Sequence, residues 1–177
     1  MGFSKTFKLV IAGDGGVGKT SLTNKFITGV FNDSTRITIG VEFFVKDLEV
    51  DGLGTVRLQI WDFGGEERFR FLLPTYVRGA NGVLFLFSIT DMVTLAHLDD
   101  WLGILKGYDP NVPIMLVGSK ADLEHRRKVQ TTEAIDIAKD RGCKGYVEVS
   151  AKTGENVEDT FKTISKVMWK HLQKTKS

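Results

Sequence analysis

The stretch "TFKLVIAGDGGVGKTS", Thr6 to Ser21, decides how the rest of the chain is read. Its first half is a short apolar run that reads as a buried strand. Its second half, "GDGGVGKT" (Gly13–Thr20), fits the pattern G-x-x-x-x-G-K-[ST]. At background frequencies a chance match in a chain this long is on the order of one in two hundred. Helix signals follow from Lys19 to about Thr28, so the motif sits between strand and helix. Glycines let the backbone turn its N–H groups inward around an anion. The helix N-terminus adds partial positive charge. Lys19 is then placed for β- and γ-phosphates, and the Thr20 hydroxyl for Mg²⁺. A merely flexible glycine-rich turn would need none of these residues in this order. The motif points to a nucleoside triphosphate and is silent on the base.

Outward from that loop, the chain alternates strands and helices. "VEFFVKDLEV" (Val41–Val50) and "TVRLQIWD" (Thr55–Asp62) flank the turn "DGLG", and predict an antiparallel hairpin. "GVLFLFSI" (Gly82–Ile89) and "VPIMLVGS" (Val112–Ser119) are continuous apolar runs, expected of strands covered on both faces. "GYVEVS" (Gly145–Ser150) is a shorter one. Leu95, Leu98, Leu102 and Leu105 recur at helical spacing, as do Val157, Phe161, Ile164, Met168 and Leu172. The expected fold is α/β, of the P-loop NTPase type: six strands, mostly parallel, one antiparallel edge strand, and helices on both faces. The length of 177 residues suits a single domain over 1–177.

In such sheets ligands sit at the carboxyl ends of parallel strands. Asp62, Ser119 and Ser150 each end an apolar strand there. Asp62 closes "LQIWD" as an acid would that holds Mg²⁺, directly or through water. "GSKAD" (Gly118–Asp122) and "EVSAK" (Glu148–Lys152) bear on the base. Guanine presents N1–H and N2–H₂ donors on one edge, and the Asp122 carboxylate accepts both. Lys120 and Lys152 can lay their stems along the ring.

Taken in order, these segments resemble the Ras superfamily of small GTPases over nearly the whole chain. The resemblance implies a phosphate loop of Gly15, Gly16, Val17, Gly18, Lys19, Thr20 and Ser21. It makes "TIGVEF" (Thr38–Phe43) a first switch, with Thr38 on Mg²⁺ and the γ-phosphate. It makes "WDFGG" a second switch, with the Gly65 amide facing that phosphate. Lys19, Thr38, Gly65 and Glu66 would then be the catalytic set. Ser119, Lys120, Asp122, Ser150, Ala151 and Lys152 would read guanine. Phe31 would stack on the base, and Asn32 and Asp33 would lie near the ribose. "TIGVEF", "WDFGGEERFR" and "YVRGANGVLFLFSITD" look most like the Rab branch, and the unusual Phe63-Gly64-Gly65-Glu66 spelling resembles Rab-like proteins from archaea. Phe43, Trp61 and Tyr76 match that branch's aromatic partner contacts, although half-buried aromatic packing alone would also account for them.

The chain departs from the family in several places. The guanine loop usually begins with Asn, and here it is Ser119, whose hydroxyl is shorter than an amide. Glu66 replaces the glutamine that orients the attacking water. An ionised carboxylate only accepts hydrogen bonds. A charge ~5 Å from the phosphate costs up to ~3 kcal/mol at an effective dielectric of 20, about two decades in rate. Three outcomes stay open: Glu66 disables the step, Glu66 is protonated beside the phosphate and donates, or it turns away while another group holds the water. Arg36 sits two residues before Thr38, near where some relatives carry a transition-state arginine in cis; a solvent-facing arginine is the plainer account. The Rab branch usually ends in prenylated cysteines, which "KHLQKTKS" lacks. "MGFSKT" fits a myristoylation pattern of low information, against an ordinary strand lead-in.

Composition bounds the rest. The sequence is 42% hydrophobic and 26% charged, as in ordinary globular proteins. The net charge of +2 argues for no nucleic-acid partner. Cys143 is the only cysteine, which fits a reducing, cytoplasmic setting, or the cytoplasmic face of a membrane. From Lys162 to Ser177 there are five lysines, one histidine and no acid. That run is either a solvated helix face or a weak attraction to an acidic membrane. The main expectation is a slow GTPase that binds GTP or GDP with Mg²⁺. It would switch effector and regulator proteins in signalling or vesicle trafficking. A guanine-nucleotide-binding interaction module with little hydrolysis is the alternative that Glu66 favours. An ATPase or kinase is a third reading, which "SKAD" and "SAK" oppose.

Overall fold

The computed structural model describes residues 5–32 and 38–177. Six strands form one sheet: β1 (Lys5–Ala12), β2 (Val41–Val50), β3 (Gly54–Phe63), β4 (Gly82–Ser88), β5 (Ile114–Ser119) and β6 (Tyr146–Glu148). Their order is β2-β3-β1-β4-β5-β6. The β2–β3 pair is antiparallel, closed by the turn the sequence places at Asp51 to Gly54. All other neighbours are parallel. The expected α/β architecture, with one antiparallel edge strand, is the one observed.

Side-chain alternation along the strands builds two cores. Leu9 and Ile11 of β1 enter one, and Val10 and Ala12 the other. In β4 all seven residues are buried, with Leu84 and Leu86 on the first face and Val83, Phe85 and Phe87 on the second. Helices α1 (Lys19–Thr28) and α6 (Val157–Thr175) cover the first face, where Phe26 stacks on Phe161 at 3.8 Å between ring centres. The second face is covered by α2 (Leu73–Val77), α3 (Met92–Ala96), α4 (Leu98–Tyr108) and α5 (Thr131–Asp140). Burying one such aromatic side chain contributes about 1.5–3 kcal/mol.

Several boundaries differ from the sequence expectation. The leucine stripe from Leu95 to Leu105 is divided between α3 and α4 at His97, whose ring is drawn to Asp14. Strand β5 starts only after Pro113, which has no N–H for a ladder. β6 is three residues long rather than six, because it pairs on one side only and Ser150 leaves the sheet for Asp122. Helix α5 carries only Ala134 and Ala138 as buried residues, too weak an apolar stripe to stand out in the sequence.

Because β1, β3, β4, β5 and β6 run the same way, their carboxyl ends share one edge. Gly13 turns the chain there at φ 143°, and a Cβ on it would lie 2.3 Å from the Leu86 carbonyl oxygen. No other residue type lets the loop lie this close to β4.

Candidate functional site

The loop after β1 folds back over the start of α1, whose N-cap is Gly18 in the left-handed region at φ 98°. Lys19 is buried, and its Nζ donates to the Asp14 carbonyl at 2.7 Å. Burial pushes its pKa down to about 8, against the attraction of Asp62 and Asp14. Next to it, the Thr20 hydroxyl donates to Asp62 Oδ2 at 2.6 Å and lies 2.5 Å from the Thr38 hydroxyl. Asp62 is fully buried, and its Oδ1 has no hydrogen-bond partner among the described residues. Burial raises its carboxyl to about 6, with Thr20 and Lys19 pulling the other way. An orphaned buried carboxylate oxygen is costly unless something meets it. One carboxylate and two hydroxyls suit a hard cation that keeps waters and phosphate oxygens as its other ligands. Among the described residues no three His, Cys, Asp or Glu converge, so no cage of protein ligands alone competes with that fit.

The other end of the site is assembled by side-chain bonds between loops. Ser119 is buried at the end of β5, and its hydroxyl is shared between the carbonyls of Val17 at 2.5 Å and Phe87 at 2.9 Å. Lys120, at φ 64°, sends Nζ to the Gly16 carbonyl at 2.9 Å. Asp122 Oδ1 accepts from the buried Ser150 hydroxyl at 2.8 Å, which orients the carboxylate and leaves its other oxygen without a bond to Ser150. Behind these loops Arg127 grips Glu148 through both guanidinium ends, at 2.9 and 2.7 Å, while also holding Glu124. Those hydrogen bonds keep the Arg127 guanidinium cationic well above its ordinary range.

Between the two ends lies a cleft of about 640 Å³. It is lined by Gly15, Gly16, Val17, Gly18, Lys19, Thr20, Ser21, Phe31, Asn32, Thr38, Gly65, Glu66, Ser119, Lys120, Asp122, Ala151 and Lys152. Asp62 and Ser150 stand behind this wall, fully buried, and act through Thr20 and Asp122. Asp33 and Arg36 lie outside the described residues. Gly65 rests directly on the phosphate loop: a Cβ there would be 2.2 Å from the Gly15 nitrogen and 2.6 Å from the Gly13 oxygen. The Glu66 carboxylate is paired with Arg68 at 2.6 Å.

Phe43, Trp61 and Tyr76 form a contiguous aromatic ridge, with ring centres 4.6 Å apart for the first pair and 5.2 Å for the second. Phe43 is about half exposed, as is Val45, and Ile39 and Phe71 are more so.

Sequence reasoning passed over Asp14, a variable position of the loop pattern. Its carboxylate accepts from Trp101 Nε1 at 2.9 Å, lies 2.5 Å from His97 Nδ1, and faces Arg70 at 3.5 Å. Arg70 also lies over the Trp101 ring, 4.6 Å from its centre. The available signal was an acid where the pattern demands nothing, together with a tryptophan on the leucine-striped helix. Across residues 8–170 the chain matches the model of the Ras family.

Proposed function

We propose that this chain, which belongs to the Ras family, holds GTP or GDP with Mg²⁺ in the cleft and hydrolyses GTP slowly. Membership makes it a small GTPase, a nucleotide-dependent switch in general. The observation that carries the finer reading is the Thr20–Thr38–Asp62 constellation beside buried Lys19, with one carboxylate oxygen left unmet. Thr20 and Thr38 would hold the ion, with Asp62 bonded to it directly or through water. When bound, Mg²⁺ neutralises charge on the β- and γ-phosphate oxygens. The loop amides of Gly15 to Ser21 and the Lys19 ammonium would hold the phosphates in a preorganised positive field. With its pKa near 8, Lys19 is mostly charged at neutral pH even before an anion arrives.

Asp122 would accept both donors of the guanine edge, steadied by Ser150. Phe31, Lys120, Ala151 and Lys152 would cover the ring, and Asn32 and Asp33 the ribose. The Ser119 hydroxyl is already shared by two carbonyls, so it has no proton left for the base. Base preference would therefore rest on Asp122. Thr38 and Gly65 would sense the terminal phosphate, ordering two switch loops that release after hydrolysis. Effectors and regulators would dock on Phe43, Trp61, Tyr76 and the apolar side chains around them, in a role like that of the Rab branch in vesicle trafficking or signalling. No helix among the described residues is long and apolar enough to cross a membrane.

One observation favours the second reading, an interaction module with little hydrolysis. Glu66 accepts from Arg68 and has no donor to offer a water or phosphate. The same ion pair also blunts the charge that Glu66 would bring near the phosphate. Releasing the nucleotide from purified protein by denaturation and identifying it tests the base. Single-turnover phosphate release over hours then separates a slow enzyme from a module. Recovery of adenine nucleotide, or of none after loading with GTP and Mg²⁺, would overturn the proposal.

A further inference from the structure

At the sheet edge opposite the cleft, α4, α5 and α6 end around a second cavity. The cleft lies at the carboxyl ends of the parallel strands, whereas this cavity is lined by Val112 and Ile114, where β5 begins. Its volume is about 310 Å³, at the lower end of the ~300–1,000 Å³ of small-ligand sites. The charged side chains lining it are all of one sign: Lys106 from α4, Arg141 and Lys144 after α5, and Lys174 from α6. His171 joins them, and among the described residues no carboxylate lines the cavity. Four formal positive charges therefore face one hollow, in a chain whose whole net charge is +2.

Helix-end complementarity explains part of this. Three helix C-termini each carry roughly half a negative charge, about 1.5 in all. Two of the cations are also committed. Arg141 engages Asp99 through Nε at 2.6 Å and a second nitrogen at 3.1 Å. Lys106 Nζ donates to the Arg141 carbonyl at 3.2 Å. Asp140 acts on Arg141 as well but does not line the cavity. Lys144 and Lys174 have no ion pair among the described residues and are the surplus. Lysines contributed to one cavity by separate elements suit a phosphate group, whose oxygens accept from several point charges at once.

We propose that this cavity binds a phosphate ester, carried by a soluble phosphorylated polyol or by a lipid headgroup. It shares no residue with the nucleotide cleft, so it stands independently of the nucleotide reading. A lipid source draws on the adjoining surface of α6, where Lys166, Lys170 and Lys174 repeat every four residues. Near an anionic membrane each such lysine is worth about fivefold in affinity.

Cys143 is the chain's only cysteine, lines this cavity and is half-buried, so its alkylation by a neutral reagent reports occupancy. The protein is kept saturated with GDP and Mg²⁺, and ionic strength is matched with chloride. Probes are a soluble inositol trisphosphate, inorganic phosphate, and phosphatidylcholine vesicles with or without a few per cent phosphoinositide. Slowing of alkylation by soluble inositol phosphate at submillimolar concentration is expected. Lys144→Glu combined with Lys174→Glu, at two exposed positions, should abolish it while GDP stays bound. Extra binding to phosphoinositide vesicles, lost in the same variant, assigns the lipid source; protection by the soluble probe alone assigns the free one. Equal alkylation rates with phosphate compounds and chloride, and equal vesicle binding with and without phosphoinositide, would overturn the site. Protection that survives the double variant would overturn it too.

Discussion

Replacing Asp62 by Asn should make the nucleotide-free protein more stable and the loaded protein less so. Asp62 is fully buried, and one of its oxygens has no partner among the described residues. Burial lifts its carboxyl from 3.8 to about 6. Between those values the folded chain holds a proton that the unfolded chain has released, so stability falls as pH rises through that window. By neutral pH the ionised carboxylate costs the empty fold about 3 kcal/mol relative to the unfolded chain, taking two pK units at ~1.4 kcal/mol each. Asparagine keeps the shape, removes the charge and can still accept from Thr20. Its new N–H₂ group needs an acceptor, so only part of the cost returns, about 1–2 kcal/mol. For a domain of this size that is a rise of ~3–6 °C in melting temperature.

With GDP and Mg²⁺ the sign should reverse, because a neutral amide replaces the one carboxylate of the proposed ion site. Loss of a charged contact of this kind is worth roughly 1.5–3 kcal/mol, or about tenfold or more in Mg²⁺ affinity. Thermal unfolding of both proteins, in EDTA without nucleotide and in GDP with Mg²⁺, gives four midpoints. The expected pattern is a crossing, with the variant higher when empty and lower when loaded. The empty-state gain should also shrink as pH falls from 6 and vanish below about 4, where wild-type Asp62 is protonated in both states. A variant that melts lower in both conditions, with unaltered Mg²⁺ dependence, would refute the view that this carboxylate is kept for an ion.

Three further outcomes are expected. Glu66→Gln should speed single-turnover GTP hydrolysis by about tenfold or more, because it removes a charge beside the phosphate and restores a donor; an unchanged rate would place Glu66 outside the reaction. Lys19 has its pKa lowered by burial to about 8, so GDP affinity, measured by calorimetry, should be flat below pH 8 and fall up to about tenfold per unit above it. The stability of the empty protein should move the other way, rising from pH 8 to 10 as the unfolded chain alone keeps the proton. Gly65→Ala puts a carbon 2.2 Å from the Gly15 nitrogen where ordinary contact begins at 3.4 Å, so the second switch must retreat by about 1.2 Å. GDP binding should survive within about threefold while the Trp61 fluorescence change on exchanging GDP for a GTP analogue is lost; a wild-type response would show that the contact is dispensable.

The sheet was legible because its strands are extreme cases. A run such as β4, buried at every residue, has few other homes than the middle of a parallel sheet. The phosphate loop was legible because its chemistry constrains glycines, a lysine and a hydroxyl at fixed spacing within one segment. What the sequence hid depends on side chains meeting across long separations. Asp14 and Trp101 lie 87 residues apart, and Arg127 and Glu148 21 apart, so no local pattern reports either pair. Glu66 was legible as an anomaly but not in its consequence, since its pairing with Arg68 rests on a side-chain direction that spacing does not fix. The division of the leucine stripe at His97 was hidden for a similar reason. The periodicity passes through the break, where His97 meets a loop 83 residues away.

Those long-range contacts are spread unevenly along the cleft. At the proposed base end, Arg127 holds two carboxylates, Ser150 holds Asp122, and Ser119 and Lys120 bond the Val17 and Gly16 carbonyls of the loop after β1. Most of these are charged or buried hydrogen bonds with several members, and they resist opening together. The phosphate end is different. Gly65 touches Gly13 and Gly15 by backbone contact alone, and Thr38 meets Thr20 through one pair of hydroxyls. Among the described residues, Arg70 anchors the proposed second switch there by charge, through Asp14 and Trp101. Asp14 also gives its carbonyl to Lys19, so the residue that feels the switch is bonded to the residue proposed to feel the phosphate. Movement of Arg70 can reach Lys19 through Asp14, whereas Gly65 bears on Gly13 and Gly15, next to the Gly16 and Val17 carbonyls that receive Lys120 and Ser119. On the proposed reading, the phosphate end would exchange two arrangements while the bonds around Asp122 keep their grip on the base, the mechanical requirement of a switch that stays loaded.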